Sequence, residues 1–249
     1  MMKKWKMTLL LTVCLLGLVV ASCLDAAENE YRVTAPTFAT VTTDGAGNYR
    51  LYLDEKRGIL IPSEESAVKH WKNTRRAYIK YDLPYLNEVK ETTSFRTIVR
   101  DAKRIEVVDL ADVTGLEVLP DTLGTEVVNN FALHAYWGYI TLQVASGNNN
   151  NCRLTCSYDR NRFVNDEKMK CDTLFMDLHY AKGNGTWNME IPQTVCAEIP
   201  DFVRSKTTAD SLCIVVSGKV WYDSRKDSVV TLSRGFRMGR VRLDTPSYQ

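Results

Sequence analysis

The chain has 249 residues, with 32 Lys and Arg against 30 Asp and Glu. Nothing in that balance draws the whole molecule to nucleic acid or to an anionic membrane. The length exceeds one average domain and suits two small ones.

The N-terminus is the most informative stretch. Lys3, Lys4 and Lys6 precede an uncharged apolar run, MTLLLTVCLLGLVV, over residues 7–20. Those residues make about 21 Å of helix, short of the roughly 30 Å hydrocarbon core of a bilayer. A basic start, a short apolar segment and small residues after it describe a signal peptide over 1–22. The tetrapeptide Val20-Ala21-Ser22-Cys23 resembles a bacterial lipobox. That resemblance implies cleavage before Cys23, a diacylglyceryl group on its sulfur, and membrane anchoring through the acyl chains. Leu24 rather than Asp follows Cys23, so the usual inner-membrane retention signal is absent, and an outer-membrane location is expected. Asp25, Glu28 and Glu30 fall in the tether, 23–30, and resemble an acidic export signal to the cell surface.

From residue 31 the strand signals dominate. YRVTAPTFATVTT is rich in β-branched and aromatic residues, DGAGN at 44–48 is a turn, and YRLYLD and RGILIP follow. Residues 64–73 predict a short helical turn with Ser63 as N-cap. In RRAYIKYDL, alternation places Arg76, Tyr78 and Lys80 on one face, and Ala77, Ile79 and Tyr81 on the other. Five to six strands in about 80 residues predict a small OB-like barrel over 31–110. Beyond the looser stretch DLADVTG, long strands joined by Asn/Gly/Asp turns predict an antiparallel β-sandwich over 111–249. The fold class expected is therefore all-β.

The order of these features, carried by TTDGAGNYRLYLDEKRGILIP and TRRAYIKYDL, then HAYWGYITLQV and TLFMDLHYAKGNG, resembles the NigD-like lipoproteins of gut-type Gram-negative bacteria. The resemblance implies an N-terminal OB-type domain, a C-terminal β-sandwich and a lipid anchor. It also carries the suggestion of bacteriocin immunity.

Chemistry is sparse. No H-E-x-x-H, G-x-S-x-G, P-loop or dinucleotide fingerprint occurs among the 249 residues. Asp177 and His179 share a strand face and could bind a metal or move protons, although an ordinary solvated face explains them better. Cys152, Cys156, Cys171, Cys196 and Cys213 are odd in number and read as small buried hydrophobes, with one or two bridges as the alternative. Neither metal, cofactor nor enzymatic activity is expected.

Binding surfaces carry more promise. Residues 69–104 hold ten basic and four acidic side chains, and 23–65 hold four basic and eight acidic. Either the two halves neutralise one another, or Arg76, Tyr78 and Lys80 form a ligand face of the kind OB folds use. Trp137 fits either the core or a sugar-stacking platform, in a segment where Ala132, His134, Tyr136 and Gly138 share one face. Arg234, Arg237, Arg240 and Arg242 read as a charged strand edge that discourages pairing. Asp210-Ser211-Leu212 and Asp227-Ser228-Val229 resemble the Asp-Ser/Thr-aliphatic acceptor of bacterial O-glycosylation, which marks Ser211 and Ser228. The expectation is a non-enzymatic outer-membrane lipoprotein that binds a glycan or protein and not nucleic acid, with bacteriocin immunity as the alternative.

Overall fold

The computed structural model describes residues 32–44, 46–54, 58–68, 71–83, 93–146, 153–168, 170–181, 191–222, 228–240, 243–244 and 246. The expected signal peptide, Cys23 and the expected acidic tether lie outside these residues, as do His70, Cys152, Asp227 and Arg242.

The first half supplies β1 (Arg32–Val33), β2 (Thr37–Thr43), β3 (Tyr49–Leu53) and β4 (Ile59–Pro62). β5 (Arg76–Leu83), β6 (Ser94–Thr97), β7 (Val99–Val108) and β8 (Ala111–Asp112) follow. The second half contributes β9 (Asn130–Tyr136), β10 (Tyr139–Ser146), β11 (Arg153–Tyr158) and β12 (Cys171–Ala181). It ends with β13 (Ile191–Glu198), the short helix α1 (Asp201–Lys206), β14 (Ser211–Trp221) and β15 (Val229–Gly239).

The chain is all-β, as the strand signals indicate. Period-2 alternation puts Ala39, Val41, Leu51, Ile79 and Tyr81 on one face, where they meet Leu60, Phe95 and Val99 in a first core. β5 and β6 stand four places apart in the strand order β6-β4-β3-β2-β5-β7, yet the Tyr81 and Phe95 rings lie 5.9 Å apart. The first half is therefore curled like a barrel, but its ladder does not close. A second core fills the sandwich. Phe131, Leu133, Ile140, Leu142 and Val195 of one sheet face Leu154, Leu174, Met176, Leu212, Ile214 and Val216 of the other.

Two details depart from the sequence reading. Both sheets are mixed rather than antiparallel: β4 runs parallel to β6, β7 to β13, β8 to β11 and β12 to β14. Alternation reports which face a side chain takes, not which way the neighbouring strand runs. Between β12 and β14 the chain crosses to the opposite sheet as β13 and returns, so β14 re-enters in the direction of β12. Second, 64–68, the described start of the predicted helical turn, is a run of turns and a bend. The Ala67 N–H donates to the Val99 carbonyl and the Val99 N–H to Ser66 Oγ, so these groups are spent on β7 and not on helical bonds.

The parallel pairing of Val195–Ala197 with Glu106–Val108 joins the two halves in one ten-stranded sheet. A five-stranded sheet, β15-β14-β12-β11-β8, packs opposite.

Candidate ligand cleft at the junction of the two halves

Along β2, β3 and β5 the face turned away from the first core carries Phe38, Thr40, Tyr52, Arg76 and Tyr78. Across β7 and β13 this face continues to Thr141 on β10 and to His134 and Tyr136 on β9. Because the sheet curls, residues far apart in strand order meet here. Arg76 is fully buried and forms a two-pronged ion pair with Asp54, Nη1 to Oδ1 at 2.9 Å and Nη2 to Oδ2 at 2.7 Å. It also donates to the Thr40 hydroxyl at 2.9 Å and the Thr141 hydroxyl at 3.0 Å. The guanidinium lies between two rings, 5.9 Å from the Phe38 centroid and 5.6 Å from that of Tyr139. Desolvation opposes the charge, but the adjacent Asp54 carboxylate outweighs it, and the Arg76 pKa is raised.

Above this floor opens a cleft of about 180 Å³, walled by Phe38, Tyr78, His134 and Tyr136, with Thr37, Asp54 and Gln143 among its polar groups. The rings form a continuous series. Tyr78 and Phe38 stand 4.8 Å apart, Phe38 and His134 6.2 Å, His134 and Phe236 6.2 Å, and Phe236 and Tyr136 5.3 Å. Phe236 belongs to β15 of the opposite sheet and extends the ring series beyond the cleft's own lining. The volume is below the roughly 300–1,000 Å³ of pockets for drug-sized ligands, and it suits one ring-sized group. With the Asp54 charge taken up by Arg76, such a group would meet ring faces and a largely polar lining, Thr37 and Gln143 included, with little net charge.

Of the residues expected on a ligand face, Tyr78 walls the cleft. Arg76 shares its side of the strand but is inaccessible, and it holds Asp54 in place. Lys80 is exposed and does not line the cleft. Trp137 is neither core nor an open platform. With Gly138 it forms the β9–β10 turn, both at positive φ (51° and 78°), as a type I′ hairpin requires. Its indole N–H donates to the Leu53 carbonyl at 3.1 Å, and its ring meets Tyr52 edge-on at 5.8 Å. Trp137 therefore latches the second half to the first.

Asp177 and His179 do share a face, but that face is not an open solvated one. His179 is 8% exposed beneath the segment 119–126, which with His179 and Ala181 bounds a separate hollow of about 390 Å³. The imidazole donates to the Gly124 carbonyl, and Nε2 lies 2.7 Å from Ser157 Oγ. Burial holds its pKa below the ordinary 6.5, more than the nearby Asp177 raises it. The Asp177 carboxylate instead pairs with Arg162 at 2.5 Å, so it does not orient the ring. Among the described residues no three His, Cys, Asp or Glu side chains gather to hold a metal ion.

Ser211 is corrected as a modification site: it is 7% exposed, begins β14, and donates its hydroxyl to the Lys170 carbonyl at 2.8 Å. Ser228 is exposed. Cys156, Cys171 and Cys196 are buried free thiols and Cys213 is a half-buried one. Burial raises the pKa of Cys156, Cys196 and Cys213. The local basic excess is partly neutralised, through Arg76–Asp54, Arg100–Asp82 at 2.7 Å and Arg75–Glu198 at 3.2 Å.

Phe38, Asp54, His134 and Tyr136 were not singled out from sequence. The shared face of His134 and Tyr136 was visible there, but nothing local tied it to Phe38 or Asp54.

No family model and no curated protein matches the chain. Solved structures do. A protein of unknown function from Bacteroides vulgatus superposes with a TM-score of 0.59 over 88% of this chain and 96% of its own, at 15% identity. A candidate lipoprotein from Bacteroides fragilis gives 0.57 over 84% and 98%, at 12% identity. A NigD-like immunity protein from Bacteroides caccae gives 0.56 over 83% and 97%, at 10% identity. The chain thus has the fold of these proteins over nearly their whole length, the NigD-like immunity protein among them.

Proposed function

We propose that the protein is a lipid-anchored lipoprotein of the outer membrane that binds a ligand without transforming it. The cleft at the junction receives one ring-sized group of a glycan or protein partner. The observation that carries this reading is the series of five rings over a polar floor whose charges are already paired. Sugar rings and ring-bearing side chains stack on such faces, and Asp54 and Gln143 supply orienting hydrogen bonds. The basic leader, the short apolar run and Cys23 support the anchor, and the fold shared with the B. fragilis protein agrees with it.

Glycan-array binding of the detergent-solubilised full-length protein tests the cleft. Tyr78→Ala and Tyr136→Ala should each weaken any captured glycan about tenfold, in line with the worth of an aromatic contact in a binding site. Capture unaffected by either change would sink the assignment. Radiolabelled palmitate should mark the wild type and leave Cys23→Ala unlabelled.

The fold shared with the B. caccae protein favours a second reading, protection against a bacteriocin. Expression in a bacteriocin-sensitive strain would then raise survival, and Tyr78→Ala would abolish the effect if the cleft engages the toxin.

A further inference from the structure

The ring-lined cleft does not end at His134. Alternation along β9 puts Tyr136, His134, Ala132 and Asn130 on the face that walls it. Gln143 of β10, opposite Ala132 in the β9–β10 ladder, lines the cleft and also a second, larger hollow. This groove of about 510 Å³ is bounded by Asn130, Ala132 and Ala145 on the hairpin and by Arg234 and Gly235 on β15. From Tyr136 to Asn130 the row spans roughly 20 Å, longer than one ring-sized group.

β15 lies along β9 here, with Arg234 and Phe236 two residues apart on one of its faces. At the cleft end the Phe236 ring stands edge-on to His134 and Tyr136. At the groove end Arg234 Nη2 donates to Asn130 Oδ1 at 3.3 Å, a neutral acceptor. Arg234 is exposed and is the one charged residue of the groove lining. Among the described residues it pairs with no carboxylate, and 228–240 contains no acidic residue. Its charge is therefore left for a ligand, unlike that of Arg76, which Asp54 takes up.

We infer that cleft and groove together bind an acidic glycan, with a carboxylate- or sulfate-bearing sugar at Arg234 and another sugar of the same chain stacked in the cleft. The inference rests on the binding reading above and names the ligand class of that site. A guanidinium meets such an anion in a two-pronged arrangement. The side-chain amides of Asn130 and Gln143 both donate and accept, which matches a row of sugar hydroxyls. An extended peptide would need open main-chain groups, and the outer edge of β9 is where β15 lies against it. A neutral glycan would leave the Arg234 charge unused.

The probes are immobilised uronate- and sulfate-bearing oligosaccharides, each beside its carboxyl-reduced or desulfated counterpart, with the full-length protein in detergent as the analyte. The acidic member of a captured pair should bind about fivefold more tightly, and the margin should shrink as salt is raised. Arg234→Gln, at an exposed position, should remove the margin. Tyr78→Ala should weaken both members alike. Equal binding of the two members, or a margin that survives Arg234→Gln, overturns the inference and leaves the cleft reading standing. Capture that ignores Tyr78→Ala removes the cleft reading, and the inference with it. No capture of any glycan, or equally tight binding of a capped Glu-rich peptide, also overturns the inference, and the ligand of the cleft is then a protein group.

Discussion

Arg76 shows how much one side chain does at the junction. It neutralises Asp54, satisfies two threonine hydroxyls and fills the space between Phe38 and Tyr139. A buried ion pair tolerates removal of both charges better than removal of one. Arg76→Ala should therefore lower the unfolding free energy by about 3–5 kcal/mol in urea titrations, whereas Arg76→Met combined with Asp54→Leu should recover most of that. The recovered variant should bind a cleft ligand more weakly, since Asp54 is one of the polar groups of the lining. His179 adds a pH dependence. In the fold its pKa lies below 6.5, so as pH falls through about 6.5 the unfolded chain takes up a proton that the folded chain does not. Unfolding is thereby favoured, and the stability His179 contributes at neutral pH is lost on acidification. The fall in melting temperature between about pH 6.5 and 5 should be shallower in His179→Gln. An equal slope would show that the ring is not held neutral.

At the scale of elements, two connections do more than link strands. The segment 119–126 lies so close on β12 that a Cβ at Gly124 would stand 2.2 Å from the Tyr180 carbonyl oxygen, a backbone atom that cannot swing aside. Gly124→Ala should lift the segment, at a cost of about 1–3 kcal/mol. It should also speed amide exchange at Glu126, whose N–H donates to that same carbonyl. The Trp137-Gly138 turn is the second case. Asn tolerates positive φ, so Trp137→Asn keeps the hairpin and removes only the indole. The expected loss is about 1 kcal/mol, for one hydrogen bond and one ring contact. Strand identity and hydrophobic faces were legible in the sequence because alternation is local. The turns at 64–68 were not, because Ser66 and Ala67 bond to β7, about thirty residues away in sequence.

Over the whole molecule, the β7–β13 pairing, the Arg76–Asp54 pair and the Trp137 latch tie the barrel-like half to the sandwich. Calorimetry should show one cooperative transition for the wild type, and Arg76→Ala with Trp137→Asn should separate it into two. By itself the sequence determined the all-β class, the expectation of a secretory leader ahead of Cys23, and which residues of each strand look inward. All of these follow from composition, spacing or a two-residue period, quantities that a linear chain displays. Only the tertiary structure decided that Arg76 is buried, that Ser211 and His179 are covered, and that Phe38, Tyr78, His134 and Tyr136 wall one cleft. Those outcomes depend on how a ten-stranded sheet curls and on which strands run parallel. Such long-range pairings arise from packing between segments about a hundred residues apart, and no local pattern records them.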